Sequence, residues 1–465
     1  MITNEPVTSE EVLIEEVEAP VEHDLIYGLE DKPPVRDAIF AAIQHVFACF
    51  VGIITPSLII SSALGLEPAD GAYLVSMSLF VSGIATFIQA KRIGPVGSGL
   101  LSIQGTSFAF IGPVIAAGAA VTGAGGTPQD ALGTIFGLCL VGCVIEIVAS
   151  RFIELASRVV TPLVTGVVVT LIGLTLVNVG ITSMGGGFAA KGDGTFGSPQ
   201  FLLLSGLVLG LIVLLNNVRN SFLRMSSVAI ALLAGYLIAI PMGLVNFGNL
   251  SNLAPINVPI PFRYGIGFNF AAFIPFAFLY LITTIESTGD ITATSLLTGQ
   301  PITGKKYFER VNGGILGDGI NSGIAAIFNT FPNTTFSQNN GVIQLTGIGS
   351  RYVGYYISGI FIILGLVPVI AGIFQTIPQP VLGGATIIMF GSVAVAGIKI
   401  LSTVNLNKRA SIILATSLGL GLGVSVVPDI IEQLPPLAKS IFSSGISTGG
   451  LTALALNMLL PGERE

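Results

Sequence analysis

Five ionisable side chains lie inside apolar stretches of this chain: His45, Glu146, Glu286, Asp290 and Asp318. A charge at the centre of a membrane helix costs at least about 2.5–3.5 kcal/mol, so such groups are functional candidates by default. Glu286 and Asp290 stand four residues apart in Ile285-Glu-Ser-Thr-Gly-Asp-Ile, a spacing that puts both on one face of a helix. Two carboxylates that close in low dielectric do not both ionise cheaply, so one is expected to hold a proton near neutral pH. A carboxyl that can load and release a proton suits a gradient-driven carrier. A second reading of Asp290 is a cap or hydroxyl acceptor beside a working Glu286. Asp318 lies between Gly317 and Gly319, which let another helix approach closely. It either accepts hydrogen bonds from the polar stretch that follows or carries a proton itself. His45, next to Gln44, is expected to hold or tune a site rather than touch a ligand. Glu146, near the end of its segment, reads as an interfacial carboxylate paired with Arg151 or Arg158.

The elements that must position these groups are membrane spans. The 465 residues are 52% hydrophobic and 9% charged, with 59 glycines and a mean hydropathy of +0.87. Soluble domains carry about 25% charged residues, so the chain reads as an all-α polytopic membrane protein. Its N-terminus is acidic and polar, without a cleavable signal pattern. Glu10, Glu11, Glu15, Glu16, Glu18 and Glu22 make it a disordered tail. Apolar segments of spanning length fall at about 38–63, 72–90, 99–119, 129–150, 160–180, 201–217 and 226–246. After a Pro- and Asn-rich break they resume at about 270–297, 311–330, 331–348, 352–376, 381–402, 410–427 and 440–460. The third and tenth are poor continuous helices, interrupted by Gly, Ser, Thr and Asn. The tenth, Phe331 to Gly347, is the most polar run of the second half. At membrane depth such backbone survives only where protein buries it or where it lines a watery cavity.

Fourteen segments with a cytoplasmic N-terminus place sixteen Lys and Arg residues inside and only Lys191, Arg263 and Lys439 outside, the asymmetry of the positive-inside rule. Two internal matches suggest a seven-plus-seven repeat. Pro162, Gly166 and Gly173 are spaced like Pro380, Gly384 and Gly391, and Thr106-Ser107-Phe108 resembles Thr334-Thr335-Phe336. Both matches link segments seven apart. An odd number of spans per repeat inverts the second copy, the arrangement of many secondary transporters.

Other classes find little support. Gly185-Gly186-Gly187 lacks the lysine and helix context of a phosphate cradle. Cys49, Cys139 and Cys143 lie in apolar segments and read as packing residues. With two histidines, no zinc protease site can be assembled. The expectation is a non-enzyme without cofactor, driven by an ion gradient, with no nucleic-acid partner.

Gln338-Asn339-Asn340-Gly341-Val342-Ile343-Gln344-Leu345-Thr346-Gly347 resembles the signature of the nucleobase–ascorbate transporter family. The final Gly is similar to that of bacterial xanthine permeases, as are the motif from Ile285 through Asp290, Gly317-Asp318-Gly319 and Leu101-Ser102-Ile103-Gln104. The resemblance runs from Gln44-His45 to Leu459-Leu460-Pro461-Gly462. It implies a 7+7 inverted repeat with core and gate domains, short antiparallel strands in segments 3 and 10, a homodimer, and proton-coupled uptake.

The implied divisions are a cytoplasmic acidic tail (1–36), core parts at 37–157 and 270–378, gate parts at 158–249 and 379–462, and a periplasmic connection (250–269). Carried over residue by residue, Glu286 would grip a purine through its N–H groups. Gln338 would read the other edge with a carboxamide that both donates and accepts. Phe108 and Ser107 would supply the stacking and backbone wall. Asn339 would brace the site, with Asp318, Asp290, His45 and Gln104 as proton-coupling or supporting groups. Many xanthine permeases carry Asn where this chain has Ser107, so an 8-oxopurine such as uric acid is the alternative substrate. Uracil is a weaker alternative, and a sulfate-type anion carrier of the same architecture a more distant one. The expected setting is a bacterial inner membrane with both termini cytoplasmic.

Overall fold

The computed structural model describes residues 25–153, 161–220, 223–224, 226–247, 256–302, 304–336, 338–435, 438, 442 and 444–460. The acidic run of the tail, Arg158 and Lys439 lie outside the described residues.

Among the described residues, the secondary structure is helical apart from one small sheet. In order come α1 (Val35–Ala63), α2 (Pro68–Lys91), β1 (Gln104–Thr106), a 3-10 turn (Phe108–Phe110), α3 (Ile111–Gly123) and α4 (Pro128–Ala149). Next are α5 (Pro162–Met184), the short α6 (Gly187–Gly192), α7 (Pro199–Asn216) and α8 (Ser227–Ala239). The second half holds α9 (Phe270–Leu297), α10 (Gly304–Ile327), β2 (Asn333–Thr335), α11 (Gln338–Thr346), α12 (Arg351–Leu366) and α13 (Pro368–Gln375). It closes with α14 (Gln379–Ser402), α15 (Lys408–Val426), a 3-10 turn (Pro428–Ile431) and α16 (Gly445–Leu459). Proline opens α2, α4, α5 and α7, where its missing N–H is not needed. Thr127 and Asp130 form a reciprocal capping box at the start of α4.

Among the described residues, eight helices are long and apolar enough to cross a membrane, or nine if α12 and α13 are one crossing. That pair corrects a sequence expectation. The segment at 352–376 reads as one span, yet it bends by 74° between Leu366 and Pro368. Pro368 has no N–H for the helical ladder and starts a new helix instead.

The contacts sort into two sets. Helices α2 and α12, α4 and α10, and α4 and α9 pack on one another, with α1 against α2 and α12. Helix α5 packs along α14, with α7, α15 and α16 around that pair. Small residues set the α5–α14 contact. A Cβ on Gly166 would meet Leu401, one on Gly173 would meet Ala394, and one on Gly180 would meet Ile387. Each seven-residue step forward on α5 is thus a seven-residue step back on α14, so the two helices run antiparallel at close range. Gly166 and Gly173 sit in this seam. Gly384 lies against Ser205 of α7, while a Cβ on Gly391 would meet nothing within 4 Å among the described residues, so the repeated spacing does not give both copies the same contact.

Opposite ends of α2 carry different charge pairs. Near its start, Asp70 lies 3.6 Å from Arg263 and accepts from the Tyr264 hydroxyl at 2.7 Å. Burial, followed by the Asp70 carboxylate, holds the Tyr264 hydroxyl above its ordinary range. Just past its other end, Arg92 lies 3.9 Å from Glu309. Twenty-two residues of helix separate these pairs by about 33 Å, consistent with Arg263 and Arg92 on opposite faces of a membrane.

Candidate substrate site

The third and tenth segments fail as helices because each contributes a strand. β1 and β2 pair antiparallel, with Gln104 opposite Thr335, Gly105 opposite Thr334 and Thr106 opposite Asn333. The two internally similar tripeptides therefore meet in space. The ladder continues where the Ser107 N–H donates to Pro332 O at 2.8 Å and the Phe336 N–H to Ile103 O at 3.0 Å. Ser322 of α10 pins β2 from behind, its hydroxyl bridging Asn333 N–H and C=O. Buried in this way, non-helical backbone is tolerated at membrane depth.

Past each strand comes an aromatic residue. The Phe108 and Phe336 ring centroids are 6.5 Å apart, and Phe108 meets Phe390 edge-on at 5.6 Å. Phe336 fits because Gly52 and Gly105 have no side chains: a Cβ on Gly105 would lie 2.3 Å from its ring and one on Gly52 2.6 Å. Gly105→Ala is expected to push the Phe336 ring toward the cavity. It should lower substrate affinity several-fold while leaving expression near wild type, as measured by binding to purified protein.

A cavity of about 500 Å³ opens in front of the sheet. Phe108, Thr334, Phe336, Glu286 and Gln338 line it, together with Met389 and Ser392 of α14. Its lining extends to Asn216, Arg224 and Ser227 around the α7–α8 link. A separate cavity of about 530 Å³ lies further along α1, lined by Leu58, Ser61, Glu67, Gln375 and Gln379. On α1 the two are separated by the residues between Gly52 and Leu58, a barrier of about 9 Å along the helix.

The remaining predicted residues stand behind the cavity wall. Asp290 accepts from the Thr335 hydroxyl at 2.9 Å and so holds β2. Asp318 is fully buried and accepts from Gln89 Nε2 at 2.6 Å; Ser287 and the Gln104 carboxamide flank it. This donor comes from α2 and not from the tenth segment, the source in one of the two readings of Asp318 in the sequence. The flanking glycines act as expected: Gly317 makes room for Gln89, and Gly319 lies against Cys143 and Ile147 of α4. Asn339 donates to Leu101 O, tying α11 to the approach of β1. Ser107 is buried, and its hydroxyl has no hydrogen-bond partner among the described residues. His45 is buried on α1 and is not one of the residues that line the cavity, and neither ring nitrogen has a partner among the described residues.

Two groups were misread or missed. Glu146 is fully buried in the protein and accepts from the Thr283 hydroxyl at 3.2 Å, while Arg151 is exposed and the alternative partner Arg158 lies outside the described residues. The depth of Glu146 is set by the tight packing of α4 under α9 and α10. Gln89 sits two residues before Lys91 and so reads as a helix end. The signal that could have found it is a carboxamide inside the last turn of an apolar span.

The comparisons with known proteins agree with one another. The model of the permease family matches residues 36–430. Xanthine permease XanP of Escherichia coli (strain K12) is 49% identical over 443 residues, 95% of this chain and 96% of the relative. Xanthine permease XanQ of the same organism is 46% identical over 439 residues, 94% of each. The xanthine permease of Bacillus subtilis (strain 168) is 37% identical over 419 residues, 90% of this chain and 92% of the relative. Among solved structures, the transmembrane domain of the cyanobacterium bicarbonate transporter BicA aligns with a TM-score of 0.59 at 15% identity, covering 90% of this chain and all of that one. SLC26A9 aligns with a TM-score of 0.62 at 13% identity, over 92% of this chain and 66% of that one. These two likenesses are of fold. Family-model match and full-length relatives together make the chain a multi-pass membrane permease belonging to the nucleobase–ascorbate transporter family.

Proposed function

We propose that this chain imports xanthine together with protons across a bacterial inner membrane by alternating access. The observation that carries this reading is the placement of Glu286 and Gln338 on one cavity, with Phe108 and Phe336 lining it just past the ends of the two strands. A carboxyl that accepts from ring N–H groups, a carboxamide that pairs with an imide or lactam edge, and aromatic faces for stacking suit a flat oxidised purine. The naming of the full-length relatives as xanthine permeases supports the same substrate class.

The mechanism follows from the two cavities. The site cavity reaches the α7–α8 link, which the positive-inside rule makes cytoplasmic. The outer cavity ends about 9 Å away on α1, so a modest displacement between the two helix sets would open one route as it closes the other. In this reading α1–α4 with α9–α13 form the core and carry the strands. The helices α5, α7, α8 and α14–α16 form the gate, and the fourteen segments make a 7+7 inverted repeat. The assembly is a homodimer with both termini cytoplasmic. Protonation of Glu286 or Asp318 favours the loaded, mobile state; no cofactor takes part.

Uric acid is the alternative cargo. The buried Ser107 hydroxyl has no hydrogen-bond partner among the described residues, and a serine there leaves more room than an asparagine would. Ser107→Asn is expected to weaken competition by uric acid by about 10-fold, the effect of about 1.4 kcal/mol, while xanthine uptake persists. Radiolabelled xanthine uptake in transporter-null cells, challenged with uric acid, uracil, hypoxanthine and an uncoupler, tests the whole reading. Xanthine accumulation abolished by the uncoupler is expected; uptake insensitive to unlabelled xanthine contradicts it. A sulfate-type anion carrier shares the fold, but its site needs a basic residue, and the cation on this cavity, Arg224, lies at the α7–α8 link.

A further inference from the structure

Helix α9 carries a polar stripe at helical spacing: Thr283, Glu286, Ser287 and Asp290. Glu286 faces the cavity, Asp290 holds β2, and Ser287 flanks Asp318. The fourth position, Thr283, points instead to Glu146. Its hydroxyl lies 3.2 Å from Glu146 Oε1 and 3.2 Å from the Tyr280 carbonyl. Glu146 Oε2 is buried with no hydrogen-bond partner among the described residues.

Among the described residues, the surroundings of Glu146 contain acids rather than cations. From α10 it faces Asp318, from α9 Glu286 and Tyr280, and from its own helix Cys143, with Cys139 beyond. α3, which also packs on α4, has no titratable side chain. The backbone is too close-packed for the carboxyl to reach solvent: a Cβ on Gly319 would lie 2.9 Å from Ile147 N, and one on Gly142 2.2 Å from the Tyr280 ring. A buried carboxylate without a cation or a full set of donors is far more costly than the neutral acid.

We propose that Glu146 is a second proton-binding site, set behind the substrate cavity and connected to the Asp318–Glu286 pair along the hydroxyls of Thr283 and Ser287. In the exchange, the Glu146 O–H bond breaks and an O–H bond forms on the carboxylate of Asp318 or Glu286. The intervening hydroxyls each pass one proton on and receive another, so net charge is conserved. The neutral acid stores a proton when the cavity carboxyls are ionised. The consequence for transport rests on the proton-coupled reading above; occupancy by a proton does not.

Two measurements on full-length protein separate these levels. Infrared spectra of purified wild type at neutral pH should show a protonated-carboxyl C=O band that shifts in heavy water and is lost in Glu146→Gln. Glu146→Asp should retain such a band. Identical wild-type and Glu146→Gln spectra overturn the proposal, whatever the cargo is. In proteoliposomes, Glu146→Gln should keep substrate exchange within about two-fold. The alkaline decline of its net uptake should move by about one pH unit, the displacement of a tenfold change in one proton's affinity. Glu146→Asp should restore the wild-type profile. An unmoved profile in Glu146→Gln, or the same profile in both variants, leaves Glu146 a packing residue and overturns its role in coupling. Absence of xanthine transport by wild type would instead count against the cargo, with the infrared result still standing.

Discussion

Glu286→Gln is expected to abolish proton-driven accumulation and to weaken purine binding by roughly 10- to 100-fold. The carboxyl lines the cavity on α9 and sits among Asp290 and Asp318. A hydrogen bond involving a charged group contributes about 1.5–3 kcal/mol, and each 1.4 kcal/mol is tenfold in affinity. Glutamine keeps the volume and can still accept one hydrogen bond, so the protein should fold and reach the membrane. What it lacks is a site that loads and releases a proton. Equilibrium binding and uptake on the same preparation separate the two losses. Full active uptake by the variant at normal expression would remove Glu286 from the mechanism.

Gln89→Leu is expected to have the largest effect on stability. Gln89 Nε2 donates to Gly314 O at 2.7 Å and to Asp318 Oδ1 at 2.6 Å, and its Oε1 accepts the Ser98 N–H at 2.8 Å. Leucine fills much the same space but takes this partner from two buried groups, the Ser98 N–H and one Asp318 oxygen, at about 1–3 kcal/mol for each group left unpaired, while the Gly314 carbonyl keeps its place in the α10 ladder. One of them is the Asp318 carboxyl, for which the loss is greatest. The expected result is a sharp fall in the yield of monodisperse protein and in its melting temperature in detergent. Gln89→Leu with a wild-type melting temperature would show that Asp318 finds another donor.

Much of the architecture is legible in the sequence because lipid imposes it. Long apolar segments and the burial of the polar run at Phe331–Gly347 each follow from the cost of polar groups in hydrocarbon. The pairing of β1 with β2 was also anticipated, through the family resemblance and the match of Thr106-Ser107-Phe108 with Thr334-Thr335-Phe336. Tertiary depth was less visible. Glu146 and Gln89 both lie near helix ends and near a basic residue, the usual pattern of interfacial groups. Their burial comes from Gly142, Gly317 and Gly319, which draw α4 and α2 against α9 and α10. That close approach depends on pairs of residues more than 100 positions apart, and no local pattern encodes it. The 74° break at Pro368 was hidden for another reason: an apolar run with one proline reads equally as a kinked span or as two helices.

The central claim is that purine entry and proton entry are one event at this cavity. The most direct test is reconstitution of the purified chain in liposomes containing a pH-sensitive dye, with xanthine added outside and no imposed gradient. Coupled entry predicts that xanthine acidifies the lumen, that an inward proton gradient drives its accumulation, and that Glu286→Gln does neither. Xanthine equilibration with no change in internal pH, unaffected by an imposed gradient, would contradict the account.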